Sequence, residues 1–221
     1  MSRRRALAYY LAAACTLAAG TATAVAYYPG RFDWVYTVIS RLASRTHNPA
    51  GGTWLAAALL TAMLLLWPVT GYLRRTLPEA RRAIIALRTG LIGGTLLGME
   101  GLLQLELSAL HRKGHEILAL LTFAGLYGGM LGIYGRMVRQ QTTFLIPALV
   151  VVIPLLAVGT SQAALWFDQR DLGWVNTGWR EMGVPFWLSF AFWQWLATAM
   201  LWLGLGQLLL TAGTGARRSH S

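Results

Sequence analysis

Six apolar stretches, each close to the length of a membrane crossing, alternate with short polar links along this 221-residue chain. They run approximately over 6–27, 53–73, 84–106, 115–135, 144–166 and 186–210. A helix rises about 1.5 Å per residue, so about 20 residues span a hydrocarbon core roughly 30 Å thick. The arginines orient these stretches. Arg3, Arg4 and Arg5 precede the first; Arg74, Arg75, Arg81 and Arg82 separate the second from the third. Arg136 and Arg139 separate the fourth from the fifth, and Arg217 and Arg218 close the chain. With six crossings all of these clusters lie on one side, as the positive-inside rule expects of cytoplasmic segments. The sequence therefore predicts an all-α membrane protein, a six-transmembrane-helix bundle with cytoplasmic N and C termini. It forms a single integral membrane domain over residues 1–221, with a disordered tail at about 212–221.

Composition agrees. Hydrophobic residues make up 56% of the chain, charged residues only 12%, and the mean hydropathy is +0.49. A soluble domain carries about 25% charged residues. The net charge of +11 is dispersed over short loops, which points to membrane lipids and topology as its cause and to no nucleic-acid partner. Cys15 is the single cysteine, so an intrachain disulfide is excluded. Arg3–Arg5, the first apolar run and Ala24-Val25-Ala26 together imitate a secretory signal. The run is longer than a signal core, and a retained first helix is expected. The predicted location is a multi-pass position in the cell membrane, the bacterial inner membrane.

The two sides of such a membrane differ in chemistry. Links on the arginine-rich side are short and contain no nucleotide-binding spacing. On the other side lie Trp34, Trp54, Trp166, Trp174, Trp179 and Trp187, which suit a headgroup zone because the ring is apolar and its N–H needs a partner. In the first outer loop, Val35, Val38, Ile39 and Leu42 recur at helical spacing opposite Asp33, Thr37, Ser40, Arg41 and Ser44. This pattern predicts an amphipathic helix lying in the interface. The third outer loop, from about Phe167 to Pro185, mixes charge and aromatics as a salt-linked segment or a lid would.

Within the spans, Gly90, Gly94 and Gly98 recur every four residues and Gly125 and Gly129 answer them, so the third and fourth spans are expected to pack closely. Glu100 and Gln104 stand beside the glycines. Glu100 lies about sixteen residues, roughly 24 Å, from the basic end of its span. A carboxylate at such depth faces protein or water and is a functional candidate by default. Glu106, His111, His115 and Glu116 follow, with Gly114 expected at the turn into the fourth span. Ser161 and Gln162 sit near the same depth, and Gln194 about one turn deeper. The spans carry no acidic residue in their cytoplasmic halves, which argues against an ion pathway across the membrane.

At the first outer loop, Tyr28-Pro29-Gly30, Ile39-Ser40-Arg41-Leu42 and Asn48-Pro49-Ala50-Gly51 resemble the bacterial domain-of-unknown-function 998 family. That family is similar to the eukaryotic DRAM-like membrane proteins, the damage-regulated autophagy modulators. The family's histidine opening the fourth span is matched by His111 or His115, and its aromatic-polar pair in the last span by Trp193-Gln194. Arg41 departs from the acidic residue often found there. The resemblance implies a six-helix membrane protein with connections to outer-leaflet lipid, and no particular reaction.

Taken together, the sequence predicts an accessory or lipid-homeostasis protein that binds a lipid or lipid-linked headgroup in an outward-facing cavity. Ser40, Arg41, His47, Asn48, Glu100, Gln104, His111, His115 and Gln194 would line it. No cofactor is needed for this reading. The alternative is a membrane-embedded lipid hydrolase or acyltransferase with Glu100, His111 and His115 as catalytic candidates. In that case His47, His111 and His115 could hold zinc.

Overall fold

A computed structural model of the chain describes residues 1–103, 108–169 and 185–211. Every long element among them is a helix. These are α1 (Arg3–Ala26), α2 (Ile39–Ala43), α3 (Gly52–Thr76), α4 (Arg81–Leu103), α5 (Ser108–Gln140), α6 (Leu145–Gln169) and α7 (Phe190–Thr211). Five of the helices, α1, α3, α4, α5 and α6, are long and apolar enough to cross a membrane. The last, α7, has 22 residues and no charged side chain, with Gln194, Gln207 and three tryptophans among its leucines. Large apolar side chains such as Ile146, Leu120 and Ile117 stand exposed on the outer surfaces. That inversion of the usual inside-out rule belongs to a protein solvated by lipid.

Local chemistry sets the ends. The hydroxyl of Ser2 accepts from the Arg5 N–H at 3.4 Å and caps α1. After α1 the chain turns at Gly30, whose φ of 78° lies in the left-handed region open to glycine. Helix α3 stops at Thr76, before Leu77 and Pro78, because a proline disfavours helical geometry in the residue preceding it. Pro78 then opens a single 3-10 turn, Pro78–Ala80, leading into α4.

The helices neighbour one another in the order α1, α3, α4, α5, α6 and α7, and α7 returns to α1. Arg3 closes the ring by donating to the Leu209 and Leu210 carbonyls at 3.2 and 2.6 Å, so the start of α1 and the end of α7 share one end of the bundle. The Tyr10 hydroxyl donates to the Trp202 carbonyl at 2.8 Å, and the Tyr134 hydroxyl to the Gly204 carbonyl at 3.0 Å. Inside lies a large apolar core, with Leu73, Ile84, Leu91, Met130, Ile133 and Leu208 among its buried members, and a smaller cluster of Ala24, Leu42 and Leu55 lies under the first loop.

Glycines set the closest approaches, though not as the four-residue stripe predicts. A Cβ on Gly90 would collide with the backbone of Leu126 and Gly125, and one on Gly129 would lie 2.7 Å from the Leu87 nitrogen. These are contacts of α4 with α5, as expected. Gly94, Gly98 and Gly101 instead face α3, where a Cβ would meet Met63, the Leu60 nitrogen at 2.8 Å and the Ala56 Cβ at 2.8 Å. The physical reason is helical drift. Four residues advance about 400°, so a stripe repeating every four rotates about 40° per step and crosses from one neighbour to the other. Helix α1 meets α3 through a different small-residue pattern, Ala6, Ala13 and Gly20 at intervals of seven, with Gly20 against Ala58.

The amphipathic helix expected in the first outer loop is reduced to the five residues Ile39–Ala43. Leu42 is fully buried and packs with Ala24 and Leu55, so its apolar side belongs to the bundle and not to a lipid surface. The residues before Ile39 are held extended or in turns by side chains. Asp33 accepts from the Val35 N–H at 2.8 Å, an Asx-type turn that competes with helix. Val35, Thr37, Val38 and Ile39 are β-branched and weak helix formers.

Candidate functional site

The polar residues proposed for an outward cavity divide into two groups at the end of the bundle that carries the first loop. The first group holds that loop in place. Asn48 is fully buried, and its amide nitrogen donates to the Ala24 carbonyl at 2.9 Å and the Leu42 carbonyl at 3.0 Å. Its amide oxygen accepts from the Gly51 N–H at 3.1 Å. One side chain thus ties the end of α1, the end of α2 and the start of α3, and no face of the amide is left for a ligand. The close approach requires Gly51, where a Cβ would overlap the Asn48 amide.

Gln194 acts in the same way from α7. Its Oε1 accepts from the Ile39 N–H at 3.0 Å, supplying the partner that the first turn of α2 lacks. Beside it the Trp195 indole donates to the Thr37 carbonyl at 2.8 Å, and the Ser189 hydroxyl donates to the Val35 carbonyl. Trp195 also meets Trp34 edge-on at 4.9 Å between ring centres, and Phe32 meets both edge-on. Three side chains separated from the loop by about 150 residues therefore satisfy its backbone. Ser189 carries no sequence signal for this role; it reads only as a polar residue near the start of the last apolar stretch. Ser40, Arg41 and His47 are exposed on the outside of the clamped loop. The His47 Nδ1 lies 3.2 Å from the Ser44 hydroxyl.

The second group lies between α4 and α5. Glu100 is buried, with 9% of its surface exposed, and its Oε2 lies 3.0 Å from Nδ1 of His115. His115 is half-buried. When Nδ1 carries the proton it donates to the carboxylate, and Nε2 becomes the atom available to the surroundings. Among the described residues Nε2 makes no hydrogen bond. Among the described residues, a Cβ on the adjoining Gly114 would meet nothing within 4 Å. A carboxylate that fixes the tautomer and leaves the far nitrogen exposed can serve a base, a phosphate donor or a metal ligand.

The turn between the third and fourth spans does not fall at Gly114. Helix α5 begins at Ser108 and runs unbroken through Gly114, so its backbone carries His111 one helical turn before His115. A lone glycine in a long helix costs only about 1 kcal/mol, which flanking helical residues outweigh. Gln104 and Glu106 fall outside the described residues, as do most of the third outer loop and the tail from 212 onward. Among the described residues, no group of three histidine, cysteine, aspartate or glutamate side chains is gathered for a metal.

At the other end of the bundle, Arg88 does not simply reach toward the lipid surface. Its Nε donates to the Thr70 hydroxyl at 2.9 Å, and its guanidinium lies 5.4 Å from the centre of the Trp67 ring. Both partners stand on α3, a pairing that nothing local in the sequence announces.

In comparisons with known proteins, no family model matches the chain, and no curated protein or solved structure matches it.

Proposed function

We propose that the chain is a six-span protein of the bacterial inner membrane that binds a phosphate-bearing lipid headgroup beside Glu100 and His115, on the outward side. The observation that carries this reading is the carboxylate-held imidazole in an apolar, membrane-length helix pair. A buried intramembrane carboxylate is costly and calls for a partner and a purpose. His115, once protonated, offers Nε2–H to a phosphate oxygen while Glu100 holds the ring. The surrounding sequence His111-Arg112-Lys113-Gly114-His115 concentrates cationic chemistry at the same helix end. Both termini on the cytoplasmic side are supported by the arginine distribution and by Arg3 binding the end of α7. In this reading Asn48 and Gln194 shape the site's surroundings and do not contact the ligand. Membrane lipids are the partners, and the role is accessory or homeostatic.

One observation favours a second reading, a lipid hydrolase or acyltransferase. An imidazole oriented through Nδ1 by a carboxylate is also the arrangement of a general base, or of a zinc ligand through Nε2. His111, carried one turn away on the same helix, would be its companion.

The test is photo-crosslinking of the full chain, reconstituted in vesicles, to phosphatidylglycerol carrying a diazirine near its headgroup. The reading expects label in peptides spanning 100–116, falling severalfold in His115→Leu with helix content unchanged. Label that is indifferent to His115→Leu would sink it. Zinc retained one per chain, and lost in His115→Ala, would favour the enzyme.

A further inference from the structure

We propose a second lipid site at the opposite end of the bundle: a cleft between α3 and α4 that takes the phosphate of an anionic phospholipid from the cytoplasmic leaflet. Arg74, Arg81 and Arg88 line it together with Ile84 and Ile85, around a small cavity of roughly 60 Å³. Among the described residues none of the three guanidinium groups forms an ion pair, and Glu79, the acid nearest in sequence, pairs with none of them.

The arrangement is built and not a scatter of surface charge. Arg81 and Arg88 stand seven residues apart, two turns along the same side of α4. Arg88 is thereby carried about 10 Å into a helix long and apolar enough to cross a membrane. It is half-buried, its Nε is fixed by Thr70, and the Trp67 ring lies beneath it. Those contacts occupy Nε and one side of the guanidinium plane. The two terminal nitrogens remain, in the planar fork that suits phosphate oxygens. Three like charges lining one cleft repel one another, and an anion between them would relieve that repulsion.

Its flanks indicate where that anion comes from. Trp67 and Ile85 are exposed, apolar and beside the arginines, on the surface that faces acyl chains. A phosphate joined to hydrocarbon satisfies both chemistries, whereas free phosphate satisfies only one. The cytoplasmic leaflet supplies anionic headgroups. This site rests on the membrane-spanning reading of α3 and α4 and is independent of Glu100 and His115.

The experiment titrates the purified full chain in detergent with phosphatidylglycerol and, separately, with phosphatidylcholine, reading bound lipid by native mass spectrometry. Arg88→Gln is expected to lower phosphatidylglycerol retention roughly tenfold, the loss of a charge-assisted contact. Arg139→Gln, a basic change at the end of α5, leaves retention unchanged. Arg74→Gln and Arg81→Gln alter exposed side chains and each lower retention severalfold, so they carry the test if Arg88→Gln does not fold. Equal binding of both lipids, or retention that none of the cleft variants lowers, overturns the site. Displacement of phosphatidylglycerol by millimolar inorganic phosphate would reassign the cleft to free phosphate and overturn the lipid source.

Discussion

Asn48 and Glu100 are both buried polar residues at the same end of the bundle, yet they are buried for different reasons. Asn48 is enclosed on all sides, and each hydrogen bond it makes goes to backbone within the first loop and its flanking helices. Glu100 holds the ring of His115, whose other nitrogen makes no hydrogen bond among the described residues. The first arrangement is closed, whereas in the second the far imidazole nitrogen has capacity left over among the described residues. In a membrane, a polar side chain is costly wherever it sits, so cost alone does not separate structure from chemistry. Spare hydrogen-bonding capacity does.

Substitutions sharpen the contrast. Asn48→Leu should be the most damaging to stability, because it strands the Ala24 and Leu42 carbonyls and the Gly51 N–H. A loss of roughly 3–4 kcal/mol is expected, read as a large fall in the unfolding midpoint in detergent. An unchanged midpoint would mean that the loop does not depend on this amide. Gln194→Leu removes one bond, that to the Ile39 N–H, and should cost about 1–2 kcal/mol. Hydrogen exchange at Ile39 should rise with it, while headgroup crosslinking at 100–116 stays intact. Ser40→Ala, on an exposed hydroxyl, should fall within about 0.5 kcal/mol of the parent. If Ser40→Ala nevertheless abolished crosslinking, the exposed loop would belong to the binding site and the division drawn between the two groups would fail. His115→Leu supplies the reverse case, a large loss of crosslinking with helix content kept, although taking the imidazole from the buried Glu100 also costs some stability.

The aromatic and hydrogen-bonded clamp from α7 also bears on the loop's mobility. Ser189, Gln194 and Trp195 reach three backbone atoms spread over Val35 to Ile39. Any ligand-driven motion of this loop must break those bonds or move the start of α7 with it.

Much of the architecture was legible in the residues alone, because hydropathy and helix length are local properties. The apolar stretch at 84–106 became α4 at 81–103, and that at 144–166 became α6 at 145–169. Pro78 marked a real break between α3 and α4 because it stands among charged residues between two apolar stretches, whereas Pro68 and Pro154, within apolar stretches, lie inside helices. Glu100 also stood out without a structure, because a carboxylate among apolar residues is conspicuous at any depth. Tertiary structure decided the rest. It chose His115 as the partner of Glu100, by running α5 straight through Gly114 and packing it against α4 on glycines. It shortened the first-loop helix by offering that backbone side chains from the far end of the sequence. It set Arg88 on Thr70 and Trp67, and it engaged Asn48 and Gln194 in holding the loop. Each outcome depends on which groups meet across helices, and hydrogen-bonding capacity is consumed by whichever partner the packing brings near.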